Sequence, residues 1–226
     1  MMRRSTKKLL GYIYIPVILT VLGYVTIYLA GAPVFKLVSA VSGMVISKSA
    51  PTFSEELDSI FDENAVRSTD IVDQSEVTMP LYETYYAKIS CERIDLLAPL
   101  YWGDSDKALK MGVGQYIGSF MPGYGKPLLL SAHDSTYFAP LDKIEIGDIL
   151  QITTNYGKYE YQVTETKVTV VGDTTAYDLK KDDEQLILYT CYPFGALIGV
   201  KNERFFVYAD KILGPEIVQG GTSNDK

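Results

Sequence analysis

The sequence predicts a small all-β domain, a barrel or a sandwich, carried behind an N-terminal membrane anchor and an acidic connector. Three observations predict it. Leu9–Phe35 holds no charged residue and follows a basic cluster. A run rich in acids comes next. From Leu81 onward, short aromatic and β-branched runs alternate with turn clusters, too closely spaced for a helix-alternating α/β sheet.

Residues 1–8 form a basic tail, with Arg3, Arg4, Lys7 and Lys8. Leu9–Ala32 would rise about 36 Å as a helix at ~1.5 Å per residue, more than the ~30 Å hydrocarbon core, so a tilted transmembrane helix is expected. Only Lys36 follows closely. The positive-inside rule therefore puts the N-terminus in the cytoplasm and the rest of the chain outside the cell membrane, a single-pass topology. Ala30-Gly31-Ala32 has the small-x-small form of a signal-peptide cleavage site, but the apolar stretch is longer than a usual h-region, so an uncleaved anchor is expected.

Residues 33–80 read as an extracellular stalk. Glu55, Glu56, Asp58, Asp62, Glu63, Asp70, Asp73 and Glu76 far outweigh Lys48 and Arg67 over its later part. Within it, Thr52-x-x-Glu55 resembles a capping box, with Phe53, Leu57, Ile60 and Phe61 on one helical face. That predicts a solvated linker with a short amphipathic helix.

The β domain is expected over 81–226. Tyr85–Ile89 and Ile94–Leu97 read as strands, Asp104–Met111 as one or two helical turns, and 121–125 as a turn cluster. Leu128-Leu129-Leu130 reads as a buried strand ending near His133. Ile149–Thr154 and Lys158–Val171 flank Asn155-Tyr156-Gly157 as a hairpin. Its second arm alternates Tyr159, Tyr161 and Val163 with Glu160 and Gln162, one face buried and one wet. Leu186–Tyr189 leads into Cys191, and Phe205–Tyr208 leads away from Arg204. Asp182-Asp183-Glu184 reads as a solvated turn.

Net charge is −7 and the pI about 4.8, which leaves no basic footprint for nucleic acid. With two cysteines and one histidine there is no zinc-ligand pattern, and no metal or cofactor is expected. Cys91 reads as a small apolar strand residue, and a Cys91–Cys191 disulfide stays open.

The scarcity sharpens the chemistry. A cysteine nucleophile needs a partner to take its proton or stabilise its thiolate. A free thiol titrates near pH 8.5, so only roughly 3 % of such thiols are ionised at pH 7. If Cys191 is a nucleophile, His133 is its only available imidazole. Arg204 brings a planar donor fork that would stabilise an oxyanion or hold substrate backbone. The Tyr192 N–H, just after the sulfur, is a second candidate donor.

Ile187-Leu188-Tyr189-Thr190-Cys191, with Arg204 downstream and Leu129-Leu130-Ser131-Ala132-His133 upstream, resembles the sortases, membrane-anchored cysteine transpeptidases of Gram-positive bacteria. The resemblance spans Tyr85–Leu213 and includes Tyr101-Trp102-Gly103 and Phe120-Met121-Pro122-Gly123. Ile187 stands where the family pattern has threonine, and Ala132 where glycine often precedes the histidine. Tyr192-Pro193-Phe194 looks most like class D.

The resemblance implies a closed eight-stranded β-barrel with short helices and no cofactor. It implies cleavage of a Leu-Pro-x-Thr-Gly-type sorting signal between Thr and Gly through a thioacyl-enzyme, then transfer to a cell-wall or pilin amine. The catalytic residues would be His133, Cys191 and Arg204, with Thr190 and Tyr192 in contact with substrate. The partners would be sorting-signal-bearing surface proteins. Two alternatives stand beside it: a sortase-like thiol hydrolase, and a non-catalytic anchored barrel that binds a ligand. A papain-like enzyme would need a histidine after Cys191, and there is none.

Overall fold

The computed structural model describes residues 14, 15, 17–26, 71–195 and 200–218. The chain divides into two units, Met1–Lys48 and Ser49–Lys226. In the first, residues 14, 15 and 17–26 are helical with exposed side chains. No described helix is long and apolar enough to cross a membrane. The remainder of the expected anchor, and the amphipathic helix expected after Thr52, lie outside the described residues.

The second unit is built from strands β1 (Ile71–Asp73), β2 (Tyr85–Cys91), β3 (Leu96–Trp102), β4 (Val113–Gln115), β5 (Leu128–Ser131), β6 (Ile149–Thr154), β7 (Lys158–Val170), β8 (Gln185–Tyr192), β9 (Glu203–Leu213) and β10 (Glu216–Val218). Eight of them close a barrel in the order β2-β3-β4-β5-β8-β9-β7-β6, with β2 pairing both β3 and β6. This is the eight-stranded closure expected from the sequence. β1 and β10 form a separate parallel pair.

The long arm β7 follows its sequence alternation. Tyr159, Tyr161 and Val163 are buried in the core, while Gln162 faces water. The turn before it is held by Thr154 Oγ1, which accepts from the N–H groups of Tyr156 (3.2 Å) and Gly157 (2.9 Å). β5 reads as an unbroken apolar run for a different reason: both its faces are covered. Leu128 and Leu130 pack inward. Leu129 packs outward with Ala176, Ile187, Phe206 and Tyr208, under residues of the β7–β8 connection. The helix Asp106–Met111 starts where Ser105 caps the Ala108 N–H at 3.2 Å.

Three expectations change, and one open question closes. Ile94 belongs to a 3-10 turn, Glu92–Ile94, and β3 starts at Leu96, because the chain must reverse between two antiparallel arms. The domain also begins earlier than residue 81: Val72 and Val77 are buried in the same core as the barrel residues. Glu184 is no solvated turn residue. Its carboxylate accepts from the N–H groups of Gly123 and Gly125, both at 3.0 Å, and from the Tyr161 hydroxyl at 2.7 Å. Finally, both thiols are free. Cys91 is buried at the end of β2, and burial pushes its thiol up, away from reactivity.

Candidate active site

β8 and β9 carry Cys191 and Arg204, and His133 lies two residues past the end of β5. β8 lies between β5, which it pairs in parallel, and β9, which it pairs antiparallel. Alternation fixes which side chains leave the barrel. Leu128, Leu130, Leu186, Leu188, Val207 and Ala209 point inward to the core. Leu129, Ile187, Phe206 and Tyr208 belong to the outer cluster. Cys191 and Arg204 keep the outward parity and are register partners.

His133 lies on the segment that continues β5, on the other side of β8. Ser131 is the register partner of Tyr189. His133 follows Ser131 by two positions, as Cys191 follows Tyr189. Across the sheet the segments run in the order His133, Cys191, Arg204. Cys191 is half-buried and His133 exposed. Cys191 lies within β8 rather than after it, so a ladder rather than a loop holds its backbone. The His133 carbonyl accepts from the N–H groups of Thr136 and Phe138, both at 3.2 Å, which folds the chain into a turn behind the imidazole. Arg204 Nη1 donates to the carbonyls of Lys201 (3.1 Å) and Glu203 (2.8 Å). One nitrogen anchors the group and its position is fixed.

Thr190 differs from its expected role as a substrate contact. Its parity is inward, it is 2 % exposed, and its hydroxyl donates to the Ala132 carbonyl at 2.7 Å. It locks the residue before Cys191 to the residue before His133. The Tyr192 ring sits in an aromatic group, stacked 6.4 Å from Phe205 and edge-on to Phe194 at 6.0 Å. Sequence reasoning missed the floor of the site. Tyr189 and Phe206, one outward step below Cys191 and Arg204, stack with centroids 5.5 Å apart. Burial pushes the Tyr189 phenol up, so it stays a neutral surface. The outward parity of Ile187, Tyr189 and Cys191 was the signal that could have found it.

Among the described residues no group of three or more His, Cys, Asp or Glu side chains is gathered to hold a metal ion. The arrangement suits nucleophilic chemistry: a thiol on a rigid strand, an arginine opposite it on β9, and a histidine on the segment that continues β5.

The family model described as the sortase domain matches residues 89–212. The chain belongs to the sortase family. Sortase D of Bacillus subtilis (strain 168) is 32% identical over 120 residues, 53% of this chain and 60% of that protein. The chain thus covers well under two thirds of that curated relative. Among solved structures, Sortase C1 of Streptococcus agalactiae is 27% identical at a TM-score of 0.52, covering 56% of this chain and 66% of that one. A Clostridium perfringens Sortase D5 transpeptidase, 22% identical, superposes at 0.57 over 70% of this chain and 94% of its own, a likeness of fold. The β1–β10 pair of this sortase lies outside the matched residues.

Proposed function

We propose that this sortase is a cysteine transpeptidase that cuts a Leu-Pro-x-Thr-Gly-type signal between Thr and Gly and passes the acyl group to an amine. The observation that carries the reading is the Cys191–Arg204 register pair, with His133 two residues past the end of the adjoining strand β5. The Cys191 thiolate adds to the threonine carbonyl. The C–N bond breaks as imidazolium His133 gives its proton to the leaving glycine amine, leaving a thioester. An amine from a cell-wall precursor or a pilin then adds to that carbonyl, His133 takes back a proton, and the thiolate departs. Arg204, and the Tyr192 N–H, would steady the oxyanion formed in both steps.

The 32% identity to a Sortase D supports a class D assignment. Anchoring, with the N-terminus inside and the barrel outside, is supported by the uncharged Leu9–Ala32 stretch behind its basic tail. The partners that follow are surface proteins bearing sorting signals.

The test is cleavage of a Leu-Pro-x-Thr-Gly peptide by the full chain, with and without an amine acceptor. Cleavage that Cys191→Ala abolishes, with a transfer product when amine is added, supports the proposal. Cleavage surviving in Cys191→Ala ends it. Cleavage that never yields a transfer product assigns the chain to the hydrolase alternative.

A further inference from the structure

His133 sits past the end of its ladder, while Cys191 and Arg204 are paired near the ends of theirs. β5 ends at Ser131 and β9 begins at Glu203. His133 therefore stands beyond the last paired residue of its strand, and Arg204 is the second residue of its own. Strand pairing holds the Arg204 backbone opposite Cys191 but does not reach His133, and the Arg204 guanidinium is set by its bonds to the Lys201 and Glu203 carbonyls.

A side-chain link joins the two flanks. Asp134, directly after His133, forms an ion pair with Lys201, just before β9. Their side chains are 9% and 18% exposed. The Lys201 carbonyl in turn accepts from Arg204 Nη1 at 3.1 Å. A continuous path therefore runs from His133 through Asp134 and Lys201 to Arg204, passing the end of β8 that carries Cys191.

The pair is not what closes the turn behind His133. The turn behind His133 has its own backbone hydrogen bonds, from Thr136 and Phe138 to the His133 carbonyl. Taking an ammonium and a carboxylate out of water offsets most of what their attraction returns, so a nearly buried, isolated pair is a weak stabiliser. It is a strong locator, because it ties two backbone segments together through one side-chain contact. Both segments end on a site residue.

We propose that Asp134 and Lys201 form a positioning brace that holds His133 and Arg204 on opposite flanks of Cys191. The proposal rests on the transpeptidase reading above. Neither residue touches the reacting atoms. Each acts through its neighbour: Asp134 on the imidazole, Lys201 through its carbonyl on the guanidinium. Loss of the brace lets the flanks drift from the sulfur while the substrate-binding surface stays. The step that suffers is the chemical one, and the parameter that moves is kcat.

The experiment measures kcat and KM for cleavage of a Leu-Pro-x-Thr-Gly peptide by the full chain, with thermal unfolding of each variant alongside. Lys201→Met alone leaves the Asp134 carboxylate unpaired and nearly buried, which risks the fold. The neutral double variant Asp134→Asn/Lys201→Met removes both charges and avoids that penalty. It is expected to unfold near the wild-type temperature, keep its KM within about twofold and lose between about tenfold and a hundredfold in kcat, as misplacement of catalytic groups does. The swapped variant Asp134→Lys/Lys201→Asp, which re-forms the pair, should recover part of the loss, and Lys201→Arg most of it. The brace is overturned if the folded double variant turns over like wild type, or if its loss appears in KM alone, or if neither re-pairing variant recovers activity. Wild-type cleavage that depends on Cys191 reports on the underlying reading separately. If it is absent, the transpeptidase reading fails and the brace with it; if it is present and the double variant is unimpaired, only the brace fails.

Discussion

Thr190 is the position where sequence and structure disagree most usefully. The family resemblance suggests a substrate contact. The structure makes it a latch: a hydroxyl 2 % exposed, 2.7 Å from the Ala132 carbonyl, joining β8 to the end of β5. Thr190→Val tests this with little change of shape, since both side chains branch at Cβ and suit a strand. The substitution takes from the Ala132 carbonyl the one donor that the side chain supplies. Leaving a buried acceptor unsatisfied costs about 1–3 kcal/mol. The methyl that replaces the hydroxyl recovers about 0.8 kcal/mol by burial. The net loss is therefore about 0.2–2.2 kcal/mol. At about 2–4 °C per kcal/mol for a domain of this size, the unfolding midpoint should fall by up to about 9 °C. Thermal unfolding followed by circular dichroism reads the shift, and peptide cleavage read in parallel should keep its KM. An unchanged midpoint with a raised KM would refute the latch and restore the substrate contact.

The other predictions concern the fold that holds the site. Val72→Ala, in the segment expected from sequence to be solvated stalk, should cost about 1.5–3 kcal/mol in urea unfolding because Val72 is buried in the barrel core; a silent substitution would return the domain boundary to residue 81. Glu184→Gln should destabilise by about 1.5 kcal/mol or more, since Gly123, Gly125 and Tyr161 donate to a charged carboxylate there. Asp183→Asn next to it is the control, and equal effects would contradict the buried role of Glu184. Asp148 carries a pH signature. The Arg93 guanidinium holds its carboxyl below the ordinary value of 3.8. A depressed folded-state value contributes stability that is complete above the unfolded carboxyl value and is lost as pH falls through the folded one. The stability gap between wild type and Asp148→Asn should therefore be full at neutral pH and narrow below about pH 4. A gap that stays constant from neutral pH down to about pH 2.5 would contradict it.

What was legible in the sequence was whatever had a period or a forced partner. β7 announced itself because Tyr159, Tyr161 and Val163 alternate against polar neighbours, and the β6–β7 turn because Asn155-Tyr156-Gly157 breaks the pattern. His133 and Cys191 stood out through scarcity, and the order His, Cys, Arg carried the family. The features that were missed depend on contacts between distant segments. β1 is three residues long inside an acidic run, and only its parallel partner at Glu216–Val218 gives it a place. Glu184 looked like one acid among three until the Gly123–Gly125 turn delivered two N–H groups to it. Thr190 looked like a site residue because it adjoins Cys191, yet strand parity turns it to the opposite face. Asp134 and Lys201 have no sequence signal, because their pairing is made only when β5 and β9 flank β8.

Intact-mass analysis of the full chain mixed with a Leu-Pro-x-Thr-Gly peptide, quenched in acid before an amine is added, tests the central claim most directly. The account predicts a species heavier by the acyl fragment ending in threonine, carried on Cys191, missing in Cys191→Ala and discharged when an amine acceptor is supplied. Turnover of the peptide with no adduct on Cys191, or with an adduct that forms equally in Cys191→Ala, would contradict it.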